Sequence, residues 1–312
     1  MKYTDIKGKK LAALSLGTAQ LGQDYGIANT NGQPSLAQSF EMLSAALEMG
    51  VASIDTAKQY GNSEEVIGAF LRQWKGEIPF ITTKLWNLAG DTYGQVEKHV
   101  VTETEGALQR LGVSRVNNIM LHVSADITKF GDKAAKAMRS LVDRGYTDLV
   151  GASVYTNADV ENLLCYPEYD SIQIPMSIFD QRLIHTGAVE KLHNAGVTVF
   201  VRSVFLQGLF FLDPDAMTDP ILVEEAKPRV CKLREYAEKE EMTVAELAIA
   251  FMRDLPGVTS LVLGADTAEQ VKANAAYFDT KPISEATAAA IRRDFAEVDI
   301  PKIMQVLSRP KK

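Results

Sequence analysis

Eight short apolar runs, rich in β-branched residues, alternate along the chain with amphipathic segments of helical period. This alternation is typical of repeated βα units, and unbroken apolar runs indicate strands that are buried on both faces. The predicted strands, each given by its letters and first residue, are LAALSLG from Leu11, VASID from Val51, PFITTK from Pro79, NNIMLH from Asn117, DLVGAS from Asp148, SIQIP from Ser171, VTVFVR from Val197 and TSLVLG from Thr259.

Polar residues at the predicted helix starts support this division of the chain. A side-chain oxygen at the N-cap accepts a hydrogen bond from an unpaired backbone amide, and a Glu or Gln three residues later can bond back. Capping-box spacing occurs at Ser35 with Gln38, Asn62 with Glu65, Thr243 with Glu246 and Thr267 with Gln270. The longest irregular stretch, from Phe205 to about Lys227, is typical of a lid or binding segment. A final helix near Ser284 to Val298 lies outside the repeat.

Eight βα units without a linker rich in Pro, Gly or Ser predict a closed (β/α)8 TIM barrel. The length of 312 residues suits one barrel, and the hydrophobic fraction of 46% provides a sizeable core. We therefore expect a single domain over residues 1–312, with a doubly wound open α/β sheet as the alternative.

The bulk properties exclude several classes of protein. A net charge of −7 and a pI near 5.3 argue against nucleic acid as a partner. Cys165 and Cys231 lie far apart and outside metal-ligand spacing, so neither a disulfide framework nor a metal site is expected. No signal-peptide pattern opens the chain, and no apolar stretch approaches the roughly 18 residues of a membrane span. We expect a cytoplasmic protein without membrane contact.

Three polar residues end consecutive predicted strands: Asp55 the second, Lys84 the third and His122 the fourth. Tyr60 follows Asp55 by five residues on the same loop. Each alone has a structural explanation, as a loop carboxylate, a surface cation, a core histidine or a rim aromatic. In barrels of this type, however, the catalytic groups stand at the C-terminal ends of the strands. Their joint placement therefore favours an active site.

These four side chains suit proton transfer to a carbonyl oxygen. Tyrosine is a weak acid, with an ordinary pKa of about 10, and a nearby ammonium lowers that pKa. A carboxylate beside the lysine holds it charged, and a neutral imidazole can donate a second hydrogen bond to the substrate oxygen. No side chain supplies a hydride, so the chemistry implies a nicotinamide cofactor.

The motifs IDTAKQYGNSEEVIGAFL, ITTKLW and IMLH resemble those of the aldo-keto reductase superfamily. The resemblance runs from LGTAQLG at Leu16 to LVLGADTAEQVKAN at Leu261, and it is strongest to a bacterial group associated with surface polysaccharides and sugars. It implies that Tyr60 is the general acid, Lys84 tunes it, Asp55 anchors Lys84 and His122 orients the carbonyl.

The resemblance also implies a set of cofactor-binding residues. No GxGxxG motif opens a βα unit, so the cofactor is held by loops. Around the nicotinamide we expect Gly17, Thr18, Asp55, Ser153 and Gln173. Over the pyrophosphate we expect Ser203, Phe205, Gln207, Gly208 and Leu209. At the adenosine end we expect Gly264, Asp266, Thr267, Gln270 and Asn274, where a helix start presents amides to an anion. Val154 and Arg202 depart from the family pattern. We therefore expect Arg202 or Phe205 to stack on the nicotinamide ring.

Asp266 predicts a preference for NAD(H) over NADP(H). A carboxylate at this position repels the 2′-phosphate of NADP and can accept a hydrogen bond from the free 2′-hydroxyl of NAD. The alternative is that Asp266 only favours the N-terminus of the following helix through the helix dipole.

The sequence therefore predicts a reductase of an aldehyde, ketone or sugar carbonyl, or an alcohol dehydrogenase in the reverse direction. Tyr25, Trp86 and Val123 are candidate substrate contacts because they adjoin the predicted site residues or the first rim loop. The alternative is an NAD(H)-binding, redox-sensing regulatory protein on the same scaffold. The lack of a metal-ligand cluster disfavours a lyase or isomerase barrel. The oligomeric state is left open.

Overall fold

A closed barrel of eight parallel strands forms the centre of the protein, as seen in a computed structural model that describes residues 1–309. Its strands, preceded by the hairpin β1 (Tyr3–Ile6) and β2 (Lys9–Ala12), are β3 (Leu14–Gly17), β4 (Ser53–Asp55), β5 (Phe80–Leu85), β6 (Asn118–Leu121), β7 (Leu149–Ser153), β8 (Ser171–Pro175), β9 (Thr198–Arg202) and β10 (Ser260–Leu263). The last three residues of the predicted domain lie outside the described part.

The barrel strands lie in chain order, and β10 closes the ring by pairing with both β3 and β9. The predicted single-domain (β/α)8 TIM barrel is thus confirmed, and the open sheet is wrong. Strands β4, β5, β6, β7 and β8 are buried along their whole length, as the apolar runs predicted.

Helices surround the barrel. Their bounds are α1 (Ala19–Gly22), α2 (Leu36–Glu48), α3 (Ser63–Leu71), α4 (Tyr93–Leu111), α5 (Ala125–Phe130), α6 (Asp132–Asp143), α7 (Asn157–Leu164), α8 (Arg182–His185), α9 (Ala188–Asn194), α10 (Lys227–Lys239), α11 (Val244–Arg253), α12 (Ala268–Tyr277), α13 (Glu285–Asp294) and α14 (Ile300–Leu307). Within the described residues, no helix combines the length and the apolar character that crossing a membrane requires.

The first predicted strand is two strands. LAALSLG contains the end of β2 and all of β3, with Ala13 between them. Strand β2 pairs antiparallel with β1, so the chain starts with a hairpin before it enters the barrel. The hairpin side chain of Leu11 is fully buried in a second apolar cluster with Phe80 and Leu149, which begin β5 and β7. The hairpin therefore closes the N-terminal end of the barrel.

Side-chain caps define most helix starts. The predicted capping boxes at Ser35 and Thr243 are present, and two more occur at Thr92 and Thr156. Asn62 is the N-cap residue of α3, as predicted, but the capping box is absent, and its side-chain oxygen accepts a hydrogen bond from Gln33 instead.

The segment after β9 is less irregular than predicted. It contains 3-10 turns over Leu206–Phe211, interrupted by a kink at Gln207 and Gly208, a 3-10 helix over Pro214–Ala216 and a π-helix over Leu222–Ala226. The predicted final helix is α13, which ends four residues before Val298, and α14 follows it.

Candidate active site

A buried ion pair stands at the C-terminal ends of two neighbouring strands. Asp55 ends β4 and lies opposite Thr82 of β5, so Lys84 follows two residues further along the paired strand. Lys84 Nζ donates to Asp55 Oδ2 at 2.6 Å and to the backbone oxygen of Thr56 at 3.0 Å. Their side chains are 0% and 3% exposed. From across the barrel, Gln173 Nε2 donates to Asp55 Oδ1 at 2.7 Å, so both carboxylate oxygens accept a hydrogen bond.

Tyr60 and His122 lie beside this pair. Lys84 Nζ is 5.1 Å from the centroid of the Tyr60 ring. The Tyr60 and His122 rings are 5.7 Å apart and nearly perpendicular, and Trp86 contacts the His122 ring at 5.4 Å. The structure therefore brings Asp55, Tyr60, Lys84 and His122 together around one end of the barrel.

Close backbone contact positions the loop that carries Tyr60. Gly61 has a φ of +54°, and a Cβ there would lie 2.0 Å from the backbone oxygen of Gly22. A Cβ on Gly22 would lie 1.7 Å from the backbone oxygen of Tyr60. Ser63 Oγ also bonds to Thr18 Oγ1 at 2.9 Å, which ties the first two βα loops together. Only glycines permit this approach.

Burial is the largest cause of the pKa shifts of Tyr60, Lys84 and His122. It raises the pKa of the Tyr60 phenol well above its ordinary value, and the charge of Asp55 adds to the effect. Burial and Asp55 therefore outweigh the expected lowering of this pKa by Lys84, whose ammonium donates to Asp55 and faces the tyrosine ring. Burial also lowers the pKa of Lys84, against the opposing charge of Asp55. Burial, with help from Lys84 and Arg202, lowers the pKa of His122 to about 3.

A single cleft of about 810 Å³ opens above these residues. It is lined by many of the predicted site residues: Gly17, Thr18, Tyr25, Asp55, Tyr60, His122, Gln173, Arg202, Ser203, Phe205, Gln207, Gly208, Gly264, Asp266, Gln270 and Asn274. Other predicted residues do not line it: Lys84, Ser153 and Leu209, which are buried, and Trp86, Val123 and Thr267.

The sequence profile of the Aldo/keto reductase family matches residues 13–293. The chain belongs to this family. Its members are oxidoreductases that use nicotinamide cofactors and act on small-molecule carbonyl substrates.

Individual relatives are more distant than the family match. The chain is 24% identical over 345 residues to a probable voltage-gated potassium channel subunit beta of Arabidopsis thaliana, covering 100% of this chain and 98% of the relative. It is also similar to an aldo-keto reductase of Bacillus halodurans. The holo form has a TM-score of 0.74 at 21% identity, over 92% of this chain and 93% of that one. The apo form has a TM-score of 0.73 at 20% identity, over 94% of this chain and 95% of that one. At these identities the structural likeness shows the fold.

Two loops of this aldo/keto reductase meet across the cleft, which the sequence did not predict. The backbone amide of Ile27 donates to the backbone oxygen of Gln207 at 2.9 Å. A Cβ on Gly208 would lie 2.7 Å from the side chain of Ala28. Leu206 and Gln207 have φ values of +45° and +56°, in the region that side chains other than glycine rarely adopt. Backbone strain is thus stored where the two loops touch.

Tyr155 lines the cleft but was not predicted from the sequence. It follows β7 by two residues and is 49% exposed. The Arg202 guanidinium lies over its ring, 4.5 Å from the centroid. Tyr155 directly follows Val154, and both Val154 and Arg202 depart from the family pattern. An aromatic residue next to such a departure was the available signal.

The start of α12 forms the other end of the cleft. The side chain of Thr267 accepts from the amide of Gln270, and the side chain of Gln270 accepts from the amide of Asp266 at 2.7 Å. Two of the amides expected to face an anion are thus bonded within the helix start itself. Asn274 donates to the backbone oxygen of Gly264.

Two buried polar atoms of the site have no hydrogen-bond partner within the described residues. They are Gln173 Oε1 and His122 Nδ1. Buried polar atoms are nearly always paired, so each is available to a ligand.

We expect the His122 imidazole to stay neutral down to about pH 5, because its pKa is depressed from the ordinary value of about 6.5. As pH falls from about 6.5 towards about 3, the unfolded chain takes up a proton that the folded chain does not, so this residue's contribution to stability is lost in that window. Imidazole ¹⁵N chemical shifts measured against pH test this, with His122→Asn identifying the resonance. A His122 signal that titrates near pH 6.5 would contradict it.

Proposed function

We propose that this protein reduces the carbonyl group of an aldehyde, ketone or sugar with NADH, with Tyr60 as the proton donor, or catalyses the reverse reaction. The observation that carries the proposal is the buried Lys84–Asp55 pair, 2.6 Å between charged atoms, beside Tyr60 and a neutral His122. Asp55, Tyr60 and His122 line one cleft. Such an arrangement supplies a protonated acid, a cation and a second hydrogen-bond donor at a single point.

The residues present fit a nicotinamide cofactor. The unpaired Gln173 Oε1 is an acceptor suited to the amide donors of a carboxamide, and the cleft volume is within the range of cofactor sites. We assign Gly17, Thr18, Asp55 and Gln173, which line the cleft, to the nicotinamide end. Ser153, which the resemblance also implies, is buried at the end of β7 and does not line the cleft. Residues 203–209 would cover the pyrophosphate, and residues 264–274 the adenosine. When bound, the cofactor supplies the hydride.

The side chains of the site then donate the proton and orient the substrate. Because the pKa of Tyr60 is raised, its hydroxyl stays protonated at neutral pH and can give its proton to the oxygen that gains charge. The phenolate left behind is stabilised by Lys84, which Asp55 and the Thr56 oxygen hold in place. The neutral His122 donates a hydrogen bond to the same substrate oxygen and orients the carbonyl. Tyr25, which lines the cleft, would contact the rest of the substrate, and Trp86 packs against His122 beside it. Val123 does not line the cleft.

Turnover separates this proposal from the redox-sensing alternative. A regulatory protein would hold the cofactor and release it slowly, without reducing any member of a broad carbonyl panel. The complete set of four polar residues in one site favours the enzyme, because a sensor needs no proton donor.

Replacing Tyr60 with Phe removes only the proton donor, so we expect reduction to fall by about 10²- to 10⁴-fold while cofactor binding changes little. Absorbance of the reduced nicotinamide, followed over a panel of aldehydes, ketones and sugars, measures the rate. The matched control is Tyr93→Phe, an exposed tyrosine at the start of α4 and away from the cleft. Wild-type turnover in the Tyr60 variant would refute the assignment of the acid.

The cofactor preference rests on Asp266, a half-buried residue in the adenosine end of the cleft. We expect tighter binding of NADH than of NADPH, since the carboxylate repels a 2′-phosphate. Asp266→Arg should narrow or reverse the preference by about 1 to 3 kcal/mol. Fluorescence titration of both reduced cofactors measures the ratio of dissociation constants.

Glu269→Arg is the control for this exchange, because Glu269 is exposed on the same helix turn and does not line the cleft. It makes the same change of charge, and we expect the NADH to NADPH ratio to stay within about twofold. An unchanged ratio in Asp266→Arg, or a wild type that prefers NADPH, would sink this assignment.

A further inference from the structure

Arg202 is a cation in the cleft without a carboxylate partner. Within residues 1–309, five arginines are half-buried, and four of them form an ion pair: Arg110 with Glu64, Arg139 with Asp170, Arg229 with Glu225 and Arg253 with Asp254. Arg202 is the fifth, and none of the ion pairs in this part of the chain includes it. It also lines the cleft.

The contacts that Arg202 does make leave most of its donors unused. Its guanidinium bonds to the backbone oxygen of Val154 and to Ser203 Oγ, both at a long 3.4 Å. The Tyr155 ring supports the face of the guanidinium, 4.5 Å away. A guanidinium carries five N–H donors in a planar fork, and partial burial without a counter-charge is unfavourable. An anion bound in the cleft would complete this site.

The guanidinium belongs to the catalytic end of the cleft. It lines the same cleft as Tyr60 and His122, and its charge lowers the pKa of His122 and opposes the rise in the pKa of Tyr60. The same charge acts on Tyr25, whose pKa burial raises to about 12. That hydroxyl stays protonated at neutral pH and can donate a hydrogen bond beside Arg202. Together the two side chains provide a cation and a neutral donor near the reacting carbonyl.

We propose that Arg202, helped by Tyr25, binds a carboxylate carried by the substrate, so that the preferred substrates are oxo acids, aldehyde acids or uronic acids. A planar guanidinium matches a carboxylate in bidentate geometry, and the Tyr155 ring lies against this guanidinium, 4.5 Å away. The carboxylate is unchanged in the reaction. Hydride and proton add to the carbonyl carbon and oxygen as before. This inference rests on the proposed function.

Matched carbonyl pairs test the inference. Glyoxylate is compared with glycolaldehyde, succinic semialdehyde with butanal, and glucuronate with glucose. For at least one pair, we expect the wild type to favour the acid in kcat/KM. Arg202→Gln should lower the ratio of acid to neutral substrate by about 10- to 100-fold, the range for a hydrogen-bonded charge pair, and Arg202→Lys should lower it less. Arg72→Gln, an exposed arginine outside the cleft, should leave the ratio unchanged.

Three outcomes would overturn the inference while leaving the reductase intact. In the first, no pair favours the acid. In the second, the ratio is unchanged in Arg202→Gln. In the third, Arg202→Gln weakens NADH binding as strongly as it weakens use of the acids, which would assign the guanidinium to a cofactor phosphate.

A binding measurement keeps the inference separate from catalysis. Calorimetric titration of cofactor-loaded Tyr60→Phe with butyrate and with butyramide requires no turnover. We expect butyrate to bind at least about tenfold more tightly, and the added Arg202→Gln change to remove the difference. Equal binding of the two probes contradicts the carboxylate site. Selective butyrate binding by a protein that reduces no carbonyl supports the site and refutes the proposed function.

Discussion

The burial of Lys84 against Asp55 is the interaction on which the site depends. Taking two charges out of water costs several kcal/mol for each ion, and only close pairing with further hydrogen bonds offsets that cost. Here the 2.6 Å contact is supplemented by the Thr56 oxygen and by Gln173. The network joins β4 and β5 to β8 on the opposite side of the barrel. It therefore requires the closed ring as well as the local loop, and it couples the fold to the chemistry.

The same network sets the charge of the catalytic end. Lys84 and Asp55 cancel, which leaves the Arg202 guanidinium as an unbalanced charge in the cleft that Tyr60 and His122 also line. Burial keeps the phenol protonated and the imidazole neutral, so both act as hydrogen-bond donors. A positively biased site with fixed donors suits an oxygen that becomes negative during reduction. The loops that carry Ile27 and Gln207 are joined by a backbone hydrogen bond, and both residues line the same cleft.

The sequence predicted the barrel well because βα periodicity is a local signal, and strands such as SIQIP match β8 residue for residue. It missed the hairpin because Ala13 does not mark a break within an apolar run. Contacts between distant segments could not be predicted either. The side chain of Gln33 donates to the side-chain oxygen of Asn62, which was expected to cap α3, and the Arg202 guanidinium lies over the Tyr155 ring. The site positions were predictable from strand ends and family motifs. The direction of the Tyr60 pKa shift was not, since it depends on how far the folded chain buries the phenol and on the nearby charge of Asp55.

The central claim is that Lys84, held by Asp55, controls the proton on Tyr60. The most direct measurement is the pH dependence of kcat/KM for carbonyl reduction in the wild type and in Lys84→Met. Circular dichroism should confirm that the variant is folded. The control is Lys58→Met, because Lys58 is an outward-facing lysine two residues before Tyr60. The account predicts a strong loss of rate and a displaced alkaline limb in Lys84→Met alone. A folded Lys84→Met protein with the wild-type pH profile would contradict it.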